Sequence, residues 1–351
     1  MAEDIWTIGA ALDWTEGYLS RKGDEQPRHS AEWLLSAACG KSRIELYMNL
    51  DEPLSMDERD LLRGYVSRRG AGEPLQYITG EVGFRYLTLK VRPGVLIPRP
   101  ETEVLVSEAL ALLPAADRRV ARDSTIEAWE GDALMAAQAL ADAEGAGAGD
   151  APAGEVGGRG ASPAVAAAPR PLLVADLCTG SGCVACSIAS ERPDARVAAT
   201  DLSPEAVALA RENAAALDLE DRVQVIECDL GEGLPSDWLG HLDLVVSNPP
   251  YVPTAELAEI PREVADFEPA LALDGGADGL DLFRRLLPWS ARVLRPGGGL
   301  AVELHEERLE EAAALAHAAG FQDLRVVEDL AGRPRVLTAR APRADEGVSN
   351  A

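Results

Sequence analysis

From Leu172 onward, short apolar runs alternate with amphipathic stretches, and that alternation leaves few folds open. "LLVADL", "ARVAATDL", "DRVQVIECDL", "LDLVVSN" and "GGLAVELH" recur at intervals of roughly 20 to 50 residues. Between the early runs lie helix formers such as "SPEAVALARENAAAL", with Ser203 placed as the cap and Glu205 in the first turn. Strands without a polar face that alternate with helices predict a parallel, doubly wound sheet covered on both sides, an α/β fold. The later stretch "FQDLRVVEDLAGRPRVLTAR" holds two runs joined by a turn and predicts an antiparallel pair at one edge.

The rest of the chain divides by periodicity. Residues 1–72 predict a small helical bundle: "SAEWLLSAACG" has Ser30 as cap and a closing Gly40, and in "SMDERDLLRGYVSRRG" Ser55 and Glu58 form a capping box. Residues 73–100 are rich in β-branched and aromatic residues and predict a β-hairpin linker, with turns at Gly80, Gly83 and Pro93-Gly94. Residues 101–342 form the main domain, opened by the helix "ETEVLVSEALALL". Within it, residues 114–170 are an Ala/Gly-rich insertion expected to be flexible, save for a helix over "STIEAWEGDALMAAQALADAE". Residues 343–351 are expected to be a disordered tail.

Charge and cysteine usage narrow the setting. A net charge of −26 repels phosphate backbones and disfavours direct nucleic-acid binding. No run of about 18 apolar residues occurs, so no membrane partner is expected. The acidic start "MAEDIWTIGA" lacks the basic region of a signal peptide, and the five cysteines read as reduced thiols, so a cytoplasmic setting is expected. A monomer is expected as well.

"LLVADLCTGSGCVACSIA" is strand, glycine loop, helix. Gly180 and Gly182 permit a tight turn and close approach of a ligand, and with Ala185 they match a dinucleotide-type pattern. Asp201 lies about 20 residues on, where a ribose-binding acid belongs. Asp176, at the end of the first strand, suits an amine-bearing ligand, and Asp229 suits an adenine amine. The three acids together fit S-adenosylmethionine, which offers an ammonium, a ribose diol and an adenine amine. Cys183 and Cys186 read as small packing residues, and no metal site is expected.

In "VVSNPPYVP" the prolines must end the strand at Ser247 or Asn248, because proline cannot donate to a ladder. The Asn248 side-chain oxygen and the Pro249 carbonyl can each accept one hydrogen of a planar NH₂ group, with Pro250 stiffening the turn and Tyr251 offering a flat face. Such a clamp suits methyl transfer to a planar nitrogen, an in-line displacement governed by positioning.

"NPPY" after such a core resembles the amino-methyltransferases that act on planar nitrogens. "PLQYITGEVGFRYLTLKVRPGVLIPRPETE", "DLCTGSGCVA", "SNPPYVP" and "FEPALALDGGADGLDLFRRLL" resemble the release-factor glutamine methyltransferase family over nearly the whole chain. The resemblance implies a class I methyltransferase fold with a Rossmann-like sheet and an N-terminal helical domain. It also implies methylation of the Gln amide in the Gly-Gly-Gln loop of class 1 peptide chain release factors. Carried over by motif, Cys178, Thr179, Gly180, Ser181, Gly182 and Asp201 would bind the cofactor. Leu230, beside Asp229, stands where relatives often carry a stacking aromatic. Asn248, Pro249, Pro250 and Tyr251 would hold the glutamine, and Arg99 and Glu101 to Glu103 would border the cleft. "ELHEERLEEA" lacks the Gly and Gln usual near there.

Four other readings stay open. A ribosomal-protein glutamine methyltransferase would share the chemistry, and a nucleic-acid amino-methyltransferase would share "NPPY" but needs a basic groove. A nicotinamide oxidoreductase would share only the glycine loop, and a cofactor-binding protein could lack catalysis. The helical domain is expected to dock the protein substrate, so its deletion should raise KM without weakening cofactor binding.

Overall fold

A computed structural model describes residues 6–115 and 170–343. The expected insertion and tail lie almost wholly outside the described residues, as does the helix expected within the insertion.

The chain opens with α1 (Ile8–Lys22), α2 (Pro27–Cys39), α3 (Arg43–Met48) and α4 (Met56–Arg69). The Ser55–Glu58 capping box forms at α4 as expected. Ser30 is not a cap: α2 starts at Pro27, whose fixed φ and missing N–H suit a first turn. The buried Ser30 hydroxyl instead donates to Asp24 at 2.8 Å, and Asp24 also receives Arg69 Nε at 2.7 Å, which ties α2 to α4. Ile8, Leu12, Leu34, Leu35, Leu46 and Leu62 build a core belonging to this bundle.

The expected hairpin is shorter than residues 73–100. "LQYIT" forms a helix, α5 (Leu75–Thr79), that packs Leu75 and Ile78 into the bundle core. Only β1 (Glu81–Phe84) and β2 (Leu87–Lys90) pair. Gly83 is not a turn residue but lies within β1 opposite Thr88. The chain reverses at Arg85, which holds a φ of 52°. That conformation is costly for a residue with a Cβ, and Arg85 is held there by Glu191 at 2.6 Å and by its own N–H to Glu103 at 2.9 Å. Val82, Phe84 and Leu89 pack into the core on one face of the main sheet.

After α6 (Thr102–Leu112), the main half comprises β3 (Leu172–Leu177), α7 (Cys183–Glu191), β4 (Ala195–Asp201), α8 (Pro204–Ala216), β5 (Val223–Glu227) and β6 (Leu242–Ser247). There follow α9 (Arg262–Ala265), α10 (Asp281–Val293), β7 (Leu294–Glu303), α11 (Leu309–Ala318), β8 (Gln322–Glu328) and β9 (Pro334–Arg340). Seven strands form one sheet in the order β5-β4-β3-β6-β7-β9-β8. β3 to β7 are parallel, and β9 runs antiparallel to both β7 and β8. One face is covered by α6, α7, α8 and the hairpin, the other by α10 and α11. The strand order reverses between β3 and β6, which opens a crevice at their carboxyl ends. Among the described residues no helix is long and apolar enough to cross a membrane.

Candidate active site

The loops that leave β3, β4, β5 and β6 surround a cleft of about 410 Å³, lined in part by Cys178, Gly180, Asp201, Asp229, Leu230 and Asn248. Beside it lies a recess of about 40 Å³, bordered by Arg99, Thr102, Asp176, Thr179 and Ser181, with Asn248 common to both. The sheet thus gathers residues far apart in sequence at its switch point. Gly182, Pro249, Tyr251 and Glu101 line neither space.

The glycine loop is built around two carboxylates. Gly182 caps α7 at φ 82°, and a Cβ there would approach Ala210 Cβ to 3.1 Å, so it serves helix packing. Asp201 accepts the Gly180 N–H at 2.8 Å and the Ser203 N–H at 2.9 Å while its edge faces the cleft. Asp176 departs from the expectation. It is buried, and its carboxylate accepts the Thr179 hydroxyl at 2.6 Å and the Ala185 N–H in the first turn of α7 at 3.1 Å. It is thus already committed to holding the loop against the helix start. Cys183 and Cys186 are packed in the core, and burial pushes both thiols up.

Burial also pushes the Asp176 carboxyl up to about 7 from an ordinary 3.8, against the pull of Thr179 and Ala185. The unfolded chain therefore releases this proton first, and the folded state loses stability as pH rises from about 4 to about 7. In the ligand-free protein, Asp176→Asn should gain in melting temperature over the parent across that window and hold the gain above it. A gap that stays constant from pH 4 to pH 8 would overturn the assignment.

β6 ends at Ser247, whose hydroxyl donates to the Leu177 carbonyl at 2.7 Å and joins the two switch-point strands. Asn248 Nδ2 donates to Thr102 Oγ1 at 3.2 Å, which leaves Oδ1 free of that partner, and the residue lines the cleft. Tyr251 does not present its ring to the cleft as expected. Its hydroxyl donates to Glu303 Oε1 at 3.1 Å, at the buried end of β7, and its ring meets His305 edge-on. The segment after "NPPY" is stitched to "LDGG": Val252 N–H to Leu273 at 2.9 Å, Gly275 N–H to Val252 at 2.8 Å and Thr254 N–H to Gly276 at 2.8 Å. The "DGGADG" turn is therefore the backing of the proline turn.

Two expected cleft residues have other partners. Arg99 pairs with Glu268 at 2.5 Å, and Glu268 also accepts the Ile97 N–H at 3.2 Å, which pins the Ile97–Arg99 segment to the "FEPALAL" loop. Glu101 turns away to Arg333 on the β8–β9 turn at 3.2 Å. Asp229 lines the cleft but carries Arg285 at 2.6 Å. Glu268, Arg285 and Glu303 are structural members of the site that sequence reasoning missed, while Thr102 falls within the Glu101 to Glu103 stretch expected at the cleft. Only Glu303 left a local signal, a lone acid inside the apolar run "LAVELH".

Similarity to known proteins agrees with this architecture. The family model described as "PrmC N-terminal domain" matches residues 10–80, and "Methyltransferase small domain" matches residues 167–263. The release factor glutamine methyltransferase of Geobacter sulfurreducens is 39% identical, covering 96% of this chain and 98% of that protein. Those of Moorella thermoacetica and Rhodopirellula baltica are 37% and 34% identical, each covering 95% of this chain and 98% and 96% of their own lengths. With its seven-stranded class I methyltransferase sheet, proline-ended β6 and full-length kinship, the chain belongs to the release factor glutamine methyltransferase family.

Proposed function

We propose that this enzyme transfers a methyl group from S-adenosylmethionine to the side-chain amide nitrogen of the glutamine in the Gly-Gly-Gln loop of class 1 release factors. The observation that carries the reading is Asn248: its NH₂ is committed to Thr102, and the residue lines both the cleft and the recess. A side chain held this way accepts from an incoming carboxamide NH₂ and cannot offer it a competing donor.

The cleft suits the cofactor. About 410 Å³ falls within the range of sites that enclose ligands of this size. Its wall carries Asp201 and Asp229, acids that match hydroxyl and amine groups and a cationic sulfonium. Asp201 would hold the ribose, Asp229 and Leu230 would border the adenine, and Cys178 to Ser181 would lie along the rest, with Asp176 acting through Thr179. Bound there, S-adenosylmethionine supplies an activated methyl group. The chain's own residues do the positioning. Asn248 Oδ1 and the Pro249 carbonyl accept the two amide hydrogens, Pro250 stiffens the turn, and Tyr251 is anchored behind it. Two fixed acceptors aim the nitrogen and offset the positive charge that develops on it.

In the same reading, residues 101–342 carry the transfer, and the bundle of residues 1–72 docks the release factor. Supporting this, Trp6, Trp14, Tyr18, Arg59 and Arg63 surround a separate hollow of about 280 Å³ on the bundle. Arg99 borders the recess and is held there by Glu268. The −26 charge favours a protein over a nucleic-acid substrate. A cytoplasmic monomer completes the picture.

Mass spectrometry of a class 1 release factor incubated with the protein and S-adenosylmethionine should show one added methyl on the loop glutamine, lost when that glutamine is replaced. Label appearing on ribosomal protein or nucleic acid instead would overturn the proposal.

A further inference from the structure

We propose that Tyr77 and Glu268 are positioning residues that grip a strap, residues 93–98, from two sides and so fix the wall shared by the cleft and the recess beside it. This inference rests on the reading that methyl transfer takes place where those two spaces adjoin.

The strap belongs to no helix or strand, so no ladder holds its backbone. Gly94, Val95 and Leu96 line the cleft, and Leu96, Ile97 and Pro98 border the recess, so Leu96 lines both, as Asn248 does. Among the described residues, the strap backbone makes two hydrogen bonds beyond its own turn. The Tyr77 hydroxyl donates to the Val95 carbonyl at 2.6 Å, and the Ile97 N–H donates to Glu268 at 3.2 Å. The first bond holds the peptide unit before Leu96, and the second holds the unit after it. Each unit is planar, so gripping both leaves Leu96 little freedom in φ and ψ.

The two grips come from different parts of the molecule. α5 faces two ways: Leu75 and Ile78 pack in the bundle core, while Tyr77, 4% exposed, packs in the core on one face of the main sheet. Arg68 of α4 donates to the Tyr77 carbonyl at 3.0 Å and so seats α5 on the bundle. Glu268 follows α9, and Arg69 of α4 pairs with Glu263 of α9 at 3.0 Å. Both grips are thus tied back to neighbouring residues of one bundle helix. Glu268 is buried, with one oxygen on Arg99 and the other left for the strap. Phenylalanine would fill the space of Tyr77 and need no partner, so packing alone does not call for the hydroxyl.

Tyr77→Phe removes one hydrogen bond and no ring, and Glu268→Gln keeps the shape while losing the charge that holds Arg99. Expected for Tyr77→Phe, assayed well below its melting midpoint, is a fall in kcat for release-factor methylation of about 10-fold, within the roughly 10²-fold that a displacement of about 1 Å can cost. Glu268→Gln should lose at least as much. KM for the release factor should change little in both, and S-adenosylhomocysteine affinity should stay near the parent's, since Gly180 and Asp201 hold each other without the strap. Because both residues fix one wall, the double variant should lose no more than the worse single variant. Parent-like kcat in either single variant overturns the proposal, since a merely structural role would lower only the melting temperature. Losses that multiply in the double variant overturn it too, as does a fall in S-adenosylhomocysteine affinity that matches the fall in kcat. Asn248→Ala separates the two readings: if it stays active, the amide clamp itself fails, and if it is inactive while Tyr77→Phe and Glu268→Gln are fully active, only the strap inference fails.

Discussion

Replacing Asn248 with alanine should lower kcat for release-factor methylation by about 10²–10³-fold, the loss seen when one fixed polar group facing a developing charge is removed. The change deletes the carboxamide of a cleft-lining residue and leaves the rest of the turn in place. Its structural cost is small, because Asn248 is only partly buried and gives up a single hydrogen bond of 3.2 Å to Thr102. Such a bond contributes about 1 kcal/mol to stability. Asp201 and the Gly180 N–H are held by each other and by Ser203, without help from Asn248. Calorimetric titration with S-adenosylhomocysteine should therefore give the parent's affinity. Single-turnover kinetics with a release factor is the decisive measurement, since it isolates the transfer from product release. Turnover equal to the parent's would remove the amide clamp from the mechanism.

Gly279→Ala should be as damaging by a different route. Gly279 sits at φ 80°, and a Cβ built there would stand 2.3 Å from the Tyr251 carbonyl oxygen. That neighbour is backbone, so it cannot rotate away. The left-handed conformation alone costs a residue with a Cβ roughly 1–2 kcal/mol, and overpacking adds typically 1–3 kcal/mol. The strain falls on the hydrogen bonds that join Val252 and Thr254 to Leu273, Gly275 and Gly276. The proline turn would shift relative to β6, and a displacement of about 1 Å at a reacting group can cost 10²-fold in rate. We expect a urea midpoint lowered in proportion to that strain, together with at least this loss of kcat. A variant as stable and as active as the parent would show that the loop yields freely and that "DGGADG" does not brace the site.

How much of this was legible in the residues varies with the range of the forces involved. Strand and helix identity in the main half, the strand stop at Ser247, and the Ser55 and Ser203 caps all follow from neighbours within a turn or two, and each appears where expected. Misjudged positions had local signals overridden from afar. Gly83 looked like a turn, but Arg85 takes the reversal because Glu191, more than a hundred residues away in sequence, holds its guanidinium. Ser30 looked like a cap, but Pro27 begins the helix and Asp24 claims the hydroxyl. Glu101 looked like a cleft residue, yet it lines neither space and its charge is answered by Arg333. In each case a charged or polar side chain chose a partner that periodicity cannot reveal.

The sequence by itself determined the class of fold, the switch-point cleft and the presence of a carboxamide at the end of β6, because apolar period and proline chemistry act along the chain. Only the tertiary structure decided which way that carboxamide faces and which acids remain open to a ligand. Those outcomes depend on hydrogen bonds between Asn248 and Thr102, 146 residues apart, and between Tyr251 and Glu303, 52 apart. Such bonds form only after the sheet has closed and shut water out, and in that dry interior each buried donor must find its acceptor.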